Sequence, residues 1–501
     1  MDKKRRKHCK WVSIVMVVLF LWGINVFAQG PDTLWTRTYG GANDDQAYSV
    51  QQTFDGGYII AGYTKSYGAG DADVYLVKTD SIGDTLWTKT YGGAYFDAAY
   101  SVQQTSDSGF IVAGVKTIPD SIWTDVYGYL IKTDKNGDSL WAKLYGWDPY
   151  EDARFYSVDK TSDGGYIATG FISKIFLRQI DVLLVKTDMD GNVLWHKEYS
   201  EGYGYSVKQT SDGGYIAAGA MGGNVYLLRT YPNGDTIWTK GYGGPEGDRG
   251  YSVELSSDNG YIIVGELLLF GAPWADVYII GTDSLGDTLW TRHYGGADYD
   301  RSFSVQKTFD SHYIVAGYAK SYGSGLEDVY LLKVDENGDT IWTKTYGWAE
   351  PDIGYCGQQT TDSAYIITGY TRSFGTGDWD ILLVKTQPDV GIEEKTDIRL
   401  KTRDIRLFVQ PNPFTAKTDI RFKVSGTREG TNTYNLTPIT LNIYDVSGRF
   451  VRSFPSSLLS LHSSVIWDGS NGNGIKVSRG IYFVKLQVGN LTSMKKVVLV
   501  R

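Results

Sequence analysis

The chain has 501 residues, 42% of them hydrophobic and 14% aromatic, which supplies apolar material for one large domain and a smaller one and argues against a disordered chain. Sixty glycines and the absence of long Leu/Ala/Glu runs of helical period favour many strands and tight turns over helices. The formal charge is −8, with no internal run of Lys and Arg of the kind that binds a phosphate backbone, so nucleic acid is not an expected partner.

The first ten residues carry Lys3, Lys4, Arg5, Arg6, Lys7 and Lys10, and an uncharged stretch follows to Ala28. This layout predicts a signal peptide over residues 1–28, whose removal leaves no stable membrane span. Losing those six basic residues together with Asp2 takes the formal charge to −13. Cys9 leaves with the signal and Cys356 stays alone, so no internal disulfide is possible.

From Trp35 onward one pattern recurs. Relatives of GDTLWTKTYGG carry indoles at Trp35, Trp87, Trp141, Trp195, Trp238, Trp290 and Trp342, with separations of 52, 54, 54, 43, 52 and 52 residues. Between one Trp and the next, alternating apolar and polar positions predict four short strands: a (YSVQQT), b (GYIIAG), c (DVYLVKTD) and d (LWTKTYG). The distance from the first aromatic of strand a to the aromatic of strand b is 10 in every repeat, as in Tyr48 to Tyr58, so the a–b hairpin has fixed length. From strand c to the Trp it is 13, as in Val74 to Trp87, so the c–d hairpin is fixed too.

Length therefore varies in the d–a and b–c connections. The fourth repeat loses three residues between Trp195 and Tyr205 and six between Tyr215 and Val225, which accounts for 52 falling to 43. In an up-and-down blade these two loops emerge on one side and the hairpins on the other. One face is then a uniform scaffold and the other is free to vary.

Four-stranded units repeated seven times are what a radial propeller requires. Strand d occurs before the first strand a, at Trp35, and is missing after the last strand c at residues 380–386; the N-terminal strand is expected to complete the seventh blade. On the W…YGG…D…YSV…DGGYI.AG…DVYLVKTD…GDTLW skeleton, residues 31–387 resemble the seven-bladed β-propeller repeat family of bacterial secreted proteins. The resemblance implies an all-β fold and no particular activity.

Residues 388–405 read as a linker of mixed charge. After them, over residues 406–501, alternating strands with Gly and Asn turns predict an Ig-like β-sandwich. The segments PNPF, IYDVSGRFVRSF, WDGSNGNG and RGIYFVKL ending in KKVVLVR resemble the C-terminal sorting domain of type IX secretion substrates, and also the FlgD Ig-like domain. The first resemblance implies a tail read by the secretion translocon and a destination at the bacterial cell surface or in the medium. The insertion TREGTNTYNLTP departs from the compact form of either.

No residue set in the sequence recommends a catalytic centre, a metal site or a cofactor. The mature histidines, His196, His293, His312 and His462, fall at unrelated repeat positions, and DKNGD at Asp134 and DENGD at Asp335 place Tyr145 and Tyr346 where a calcium loop needs Glu, so both read as turns. Two groups are candidates for ligand binding. Asp45, Asp97, Asp248, Asp300 and Asp352 each precede strand a by three residues, with Asp152 one further out. They either gather a cation or basic ligand at the rim of the variable face or accept backbone N–H bonds in the d–a loops. Trp123, Phe176, Phe270, Trp274 and Trp379 fall in b–c loops and Trp147 and Trp348 in d–a loops, where indoles suit sugar rings or simply pack the loops. The repeated strand-d Trp residues are expected to pack blades.

The resulting expectation is a secreted or surface protein that binds a glycan or an extracellular protein without turnover. The alternatives are a polysaccharide-acting enzyme using two loop carboxylates, or a structural envelope component.

Overall fold

The computed structural model describes residues 28–119, 124–148, 151–199, 201–244, 246–269, 271, 273–324, 326–389, 404–425, 439–446, 449–454, 462–488 and 491–500. Most of the predicted signal peptide and linker, together with Trp123, Phe270 and the TREGTNTYNLTP insertion, lie outside the described residues. The chain divides into two compact units, residues 1–391 and 392–501.

In the first unit each repeat forms an antiparallel sheet in the order a-b-c-d. Blade I comprises Asp45–Gln52, Tyr58–Thr64, Asp73–Thr79 and Thr85–Tyr91. Blades II to VI repeat it, beginning at Ala98, Glu151, Tyr203, Arg249 and Asp300. Blade VII takes its first three strands from Asp352–Gln359, Tyr365–Thr371 and Asp380–Thr386, and its fourth from the N-terminal Thr33–Tyr39, which pairs with Asp380–Thr386 in register Thr33↔Thr386 through Tyr39↔Ile381. Strand a of every blade touches strand a of the next, and that of blade VII touches that of blade I, so strand a is innermost and the ring is closed. The closing joint is packed like the others: Ile366, Ile381 and Leu383 meet Val50, Tyr58, Ile60 and Val77.

The most conspicuous repeat of the sequence is the latch between blades. Trp87 packs edge-on against Phe110 of the next blade at 5.9 Å, and Trp35, Trp141, Trp195, Trp238 and Trp342 meet Tyr58, Tyr166, Tyr215, Tyr261 and Tyr365 at 5.5–6.1 Å. The Tyr of each YGG reaches the same neighbour, as Tyr39 donates to the Gly83 carbonyl at 2.7 Å and Tyr145 to that of Gly191 at 2.8 Å. Gly83 has φ +84°, and a Cβ there would lie 2.9 Å from the Trp35 ring, so this turn position admits glycine on both counts.

Two further devices hold the hairpin face and the inner wall. On the hairpin face, a buried cation of strand c reaches the a–b turn of its own blade: Lys78–Asp55 at 3.0 Å, Lys132–Asp107 at 2.8 Å, Lys186–Asp163 at 2.9 Å, Arg229–Asp212 at 2.5 Å, Lys333–Asp310 at 2.7 Å and Lys385–Asp362 at 2.9 Å. Along the inner wall, Ser49 Oγ accepts from Val102 N of the next blade at 3.2 Å, and Ser101, Ser157, Ser206, Ser252 and Ser304 do the same around the ring. Cys356 takes the serine's place in blade VII and points its thiol at the Val50 carbonyl across the seam, at 3.7 Å.

The clasps make stability depend on acid. Partial burial alone would raise these carboxyls, but hydrogen bonds from lysine and threonine outweigh it and hold Asp107, Asp163 and Asp310 down to about 2. A carboxyl depressed on folding adds stability that is whole above the unfolded value near 4 and is lost as pH falls through about 2. Asp163→Asn is therefore expected to be less stable than wild type at pH 5 and to converge with it near pH 2 in urea melts. Because the carboxylate is half exposed, the gap at pH 5 should be below about 1 kcal/mol.

The second unit packs a sheet of Asp404–Gln410, Thr418–Ser425 and His462–Trp467 with a sheet ordered Phe450–Phe454, Ile439–Asp445, Gly480–Val488, Leu491–Leu499. Trp467 is fully buried between Phe414 and Tyr482, and its indole N–H donates to the Ser470 carbonyl at 2.8 Å. The PNPF segment thus anchors its Phe in the core of a β-sandwich.

Candidate functional site

The aspartates that precede strand a face inward. Asp45, Asp97, Asp248, Asp300 and Asp352 are all 0% exposed. Asp45 accepts from Gly41 N at 2.7 Å and Ser66 Oγ at 2.6 Å, Asp97 from Thr117 N at 2.8 Å, and Asp248 from Gly244 N at 2.6 Å and Leu268 N at 2.8 Å. Asp300 accepts from Gly296 N at 2.9 Å and Lys320 N at 3.0 Å, and Asp352 from Trp348 N at 2.9 Å and Ser373 Oγ at 2.9 Å. Burial pushes the carboxyls of Asp97, Asp248 and Asp352 upward, and these N–H bonds offset part of the cost. These carboxylates have no exposed surface, and their donors tie the d–a loop to the b–c side of the same blade; Asp97 also pairs with Lys116 at 3.2 Å. Asp134 and Asp335 likewise accept N–H bonds within their own turns, at 2.8–2.9 Å.

The loop tryptophans are spread around the rim. Trp147 is 38% exposed and stacks on His196 at 4.0 Å; Trp348 meets Phe374 edge-on at 4.2 Å; Trp379 meets Tyr370 edge-on at 4.8 Å and has the Arg372 guanidinium over its ring at 4.8 Å. Trp274 is half-buried beside Pro273, whose carbonyl accepts from Tyr299. The ring contacts among the described residues join no two of these four indoles.

What the structure does bring together is the inner wall. Each strand a carries a β-bulge at the aromatic that opens its YSV-type triplet, as the register shift between Ala47 and Ser49 shows, and the bulged residue is re-aimed toward the axis. Tyr48, Tyr100, Tyr156, Tyr205, Tyr251, Phe303 and Tyr355 consequently form a closed ring, with neighbouring centroids 4.3–5.4 Å apart. These positions served the sequence only as rulers of hairpin length; their shared slot in all repeats was the signal of a common role.

Two residues before this ring, toward the loop face, stand Gln46, Ala98, Arg154, Tyr203, Arg249, Arg301 and Ile353. Their register partners on strand b include Phe171 opposite Arg154, Glu266 opposite Arg249 and Tyr318 opposite Arg301. Glu266 is 0% exposed; Arg249 donates to its Oε1, the Tyr251 hydroxyl donates to the same oxygen at 3.0 Å, and Arg301 Nε lies 2.7 Å from Oε2. Burial and the adjacent Glu266 together push the Tyr251 phenol above its ordinary range.

Beside this tier the shortened blade IV leaves a notch. Its b–c connection is the two-residue turn Gly222–Gly223, with φ of +57° and +81°, the backbone of a type I′ hairpin. Because that turn stops short, a cavity of about 350 Å³ remains, lined by Arg178, Glu201, Tyr203, Met221, Gly247 and Arg249 among others. Asp248 also lies in its wall, though its carboxylate is committed to the loop. Ile175, Phe176 and Leu177, 50–76% exposed, form the loop tip that precedes Arg178.

Residues 409–500 match the family described as secretion system C-terminal sorting domain. That domain marks proteins exported by the type IX system, so the chain is a secreted or cell-surface protein. Among solved structures the chain is similar to PorZ, a surface component of the type IX secretion system of Porphyromonas gingivalis, at 12% identity and TM-score 0.41. The match covers 92% of this chain and 60% of that one. It is also similar to the Dos1 propeller, at 11% identity and TM-score 0.44 over 71% of this chain and 95% of the other. A third likeness is to the hemagglutinin-neuraminidase ectodomain of parainfluenza virus 5, at 11% identity and TM-score 0.37 over 72% and 86%. No curated protein matches the chain.

Proposed function

We propose that the propeller is a non-catalytic binding module, carried to the cell surface by its sorting tail, that takes a glycan or an extracellular protein on its loop face. The observation that carries this reading is the notch of about 350 Å³ over blade IV, a volume that suits a small ligand or one residue of a larger one. The hairpin face is occupied by six Lys/Arg–Asp clasps, whereas the loop face combines a cavity, the half-buried Tyr203 and an exposed apolar tip. Trp274, Trp348 and Trp379 belong to the same face and serve as outer contacts for an extended ligand.

A glycan array probed with the mature protein tests this. Tyr203→Ala combined with Met221→Arg, which removes a ring and fills the notch, is expected to weaken array binding at least tenfold. Trp147→Ala, whose indole stacks on His196 at the rim, is expected to change it less than threefold. Equal binding by wild type and the notch variant would move the site elsewhere.

A further inference from the structure

Two positions of the tier above the aromatic ring, Tyr203 and Arg249, line the notch. Three of the seven positions just above the aromatic ring are arginine, in a protein with 49 basic and 57 acidic residues. Glu266 neutralises only one of the pair it joins. The slot it fills on strand b is Tyr63, Val115, Phe171, Ala220, Tyr318 or Tyr370 in the other blades, and a buried ion pair is seldom more stable than such apolar packing. What a buried carboxylate does supply is orientation, because it fixes two planar guanidinium forks that have no other carboxylate partner among the described residues.

Donors remain after that pairing. Arg249 spends one N–H on Glu266, is 45% exposed along its side chain, and lines the notch. Arg154 lies with its guanidinium over the Phe171 ring at 5.8 Å, and its buried Nε has no hydrogen-bond partner among the described residues. Arg178 and Tyr203 also line the notch, and Tyr203, stacked parallel to Tyr205 of the aromatic ring, holds the tier position between Arg154 and Arg249 in the order of blades. An oxyanion presented beside an aromatic face meets both halves of this surface.

From these contacts we infer that the loop-face mouth binds an acidic sugar, its carboxylate or sulfate ester held by Arg249 and Arg154 and its ring lying against Tyr203. The inference rests on the loop-face binding reading and adds the chemical class of the ligand. Glu266 acts as a positioning residue, since it reaches the anion only through Arg249 and Arg301. An acidic peptide offers the same charge without the stacking ring, and the aromatic wall favours the sugar.

Calorimetric titration of the mature protein with oligogalacturonate, with the same oligomer methyl-esterified, with a chondroitin sulfate oligosaccharide and with oligoglutamate separates these cases. Expected are binding of the acidic oligosaccharide that weakens as salt rises, at least tenfold loss on methyl esterification if the oxyanion is a carboxylate, and at least tenfold loss in both Arg154→Gln and Arg249→Gln. Binding confined to the sulfated oligosaccharide, with the same arginine dependence, identifies sulfate as the oxyanion and supports the inference. Arg154→Gln leaves the Glu266 pairing intact, so its result does not depend on the stability of that cluster. Oligoglutamate binding with arginine dependence, equal affinity for acid and ester, or binding of none of these probes overturns the inference. In the last two cases a notch-dependent array signal would still uphold loop-face binding, so the two readings fail separately.

Discussion

Deletion of residues 28–40 is expected to abolish cooperative unfolding of the propeller near the wild-type midpoint. The segment supplies the fourth strand of blade VII, packs Trp35 and Tyr39 into the joint with blade I, and donates the Tyr39–Gly83 latch. Without it Asp380–Thr386 becomes a raw edge flanked by uncovered apolar surface. The loss should be comparable with the whole stability of an ordinary domain, roughly 5–15 kcal/mol. Urea unfolding and sedimentation of the truncated protein check this: a shifted, broadened transition with self-association is expected, and addition of a 28–40 peptide should restore the midpoint by strand addition. An unchanged, sharp transition would mean that blade VII stands on three strands.

The second large effect concerns the acid at the channel mouth. Replacing Arg249 and Arg301 together by alanine leaves Glu266 fully buried with the Tyr251 hydroxyl as its one remaining donor. An uncompensated buried charge of this kind costs on the order of 3–5 kcal/mol. The cost should shrink as pH is lowered from 7 toward 4, where the stranded carboxylate can take up a proton, so the gap to wild type is widest at neutral pH. Adding Glu266→Leu to the double variant should recover most of the stability at pH 7. Chemical melts of the three proteins at pH 4.5 and 7 give the comparison; a pH-independent gap would assign the loss to packing.

These two sites differ in how far the sequence announced them. Closure by Trp35 follows from counting strands, because a strand d without its own a, b and c can only complete another blade. The notch follows from counting loop residues, nine of which are missing between Trp195 and Trp238. Arg249, Glu266 and Arg301 leave only a faint trace in the sequence: DRGYSV and DRSFSV put arginine in one slot of consecutive repeats, and YIIVGELL departs from YIIAGYT at the slot between them. Their meeting depends on strand register and on contact between neighbouring blades, and neither is a property of a single repeat. The aromatic ring escaped for a related reason: the bulge at Tyr48 breaks the two-residue alternation from which facing was judged. The Asp residues carried a sequence pattern that burial alone could interpret.

The way the circle is joined also sets how it opens under force. Thr33 lies opposite Thr386 and Tyr39 opposite Ile381, so the two chain ends of the propeller leave the seam side by side. Tension applied between them loads the rungs of that ladder singly, from Thr33 inward, in the manner of a zip. Shear, which would strain all the rungs at once, has no purchase there. Traction through the C-terminal module during export, with the N-terminal strand held back, would therefore peel the seam first and leave the six continuous blades standing.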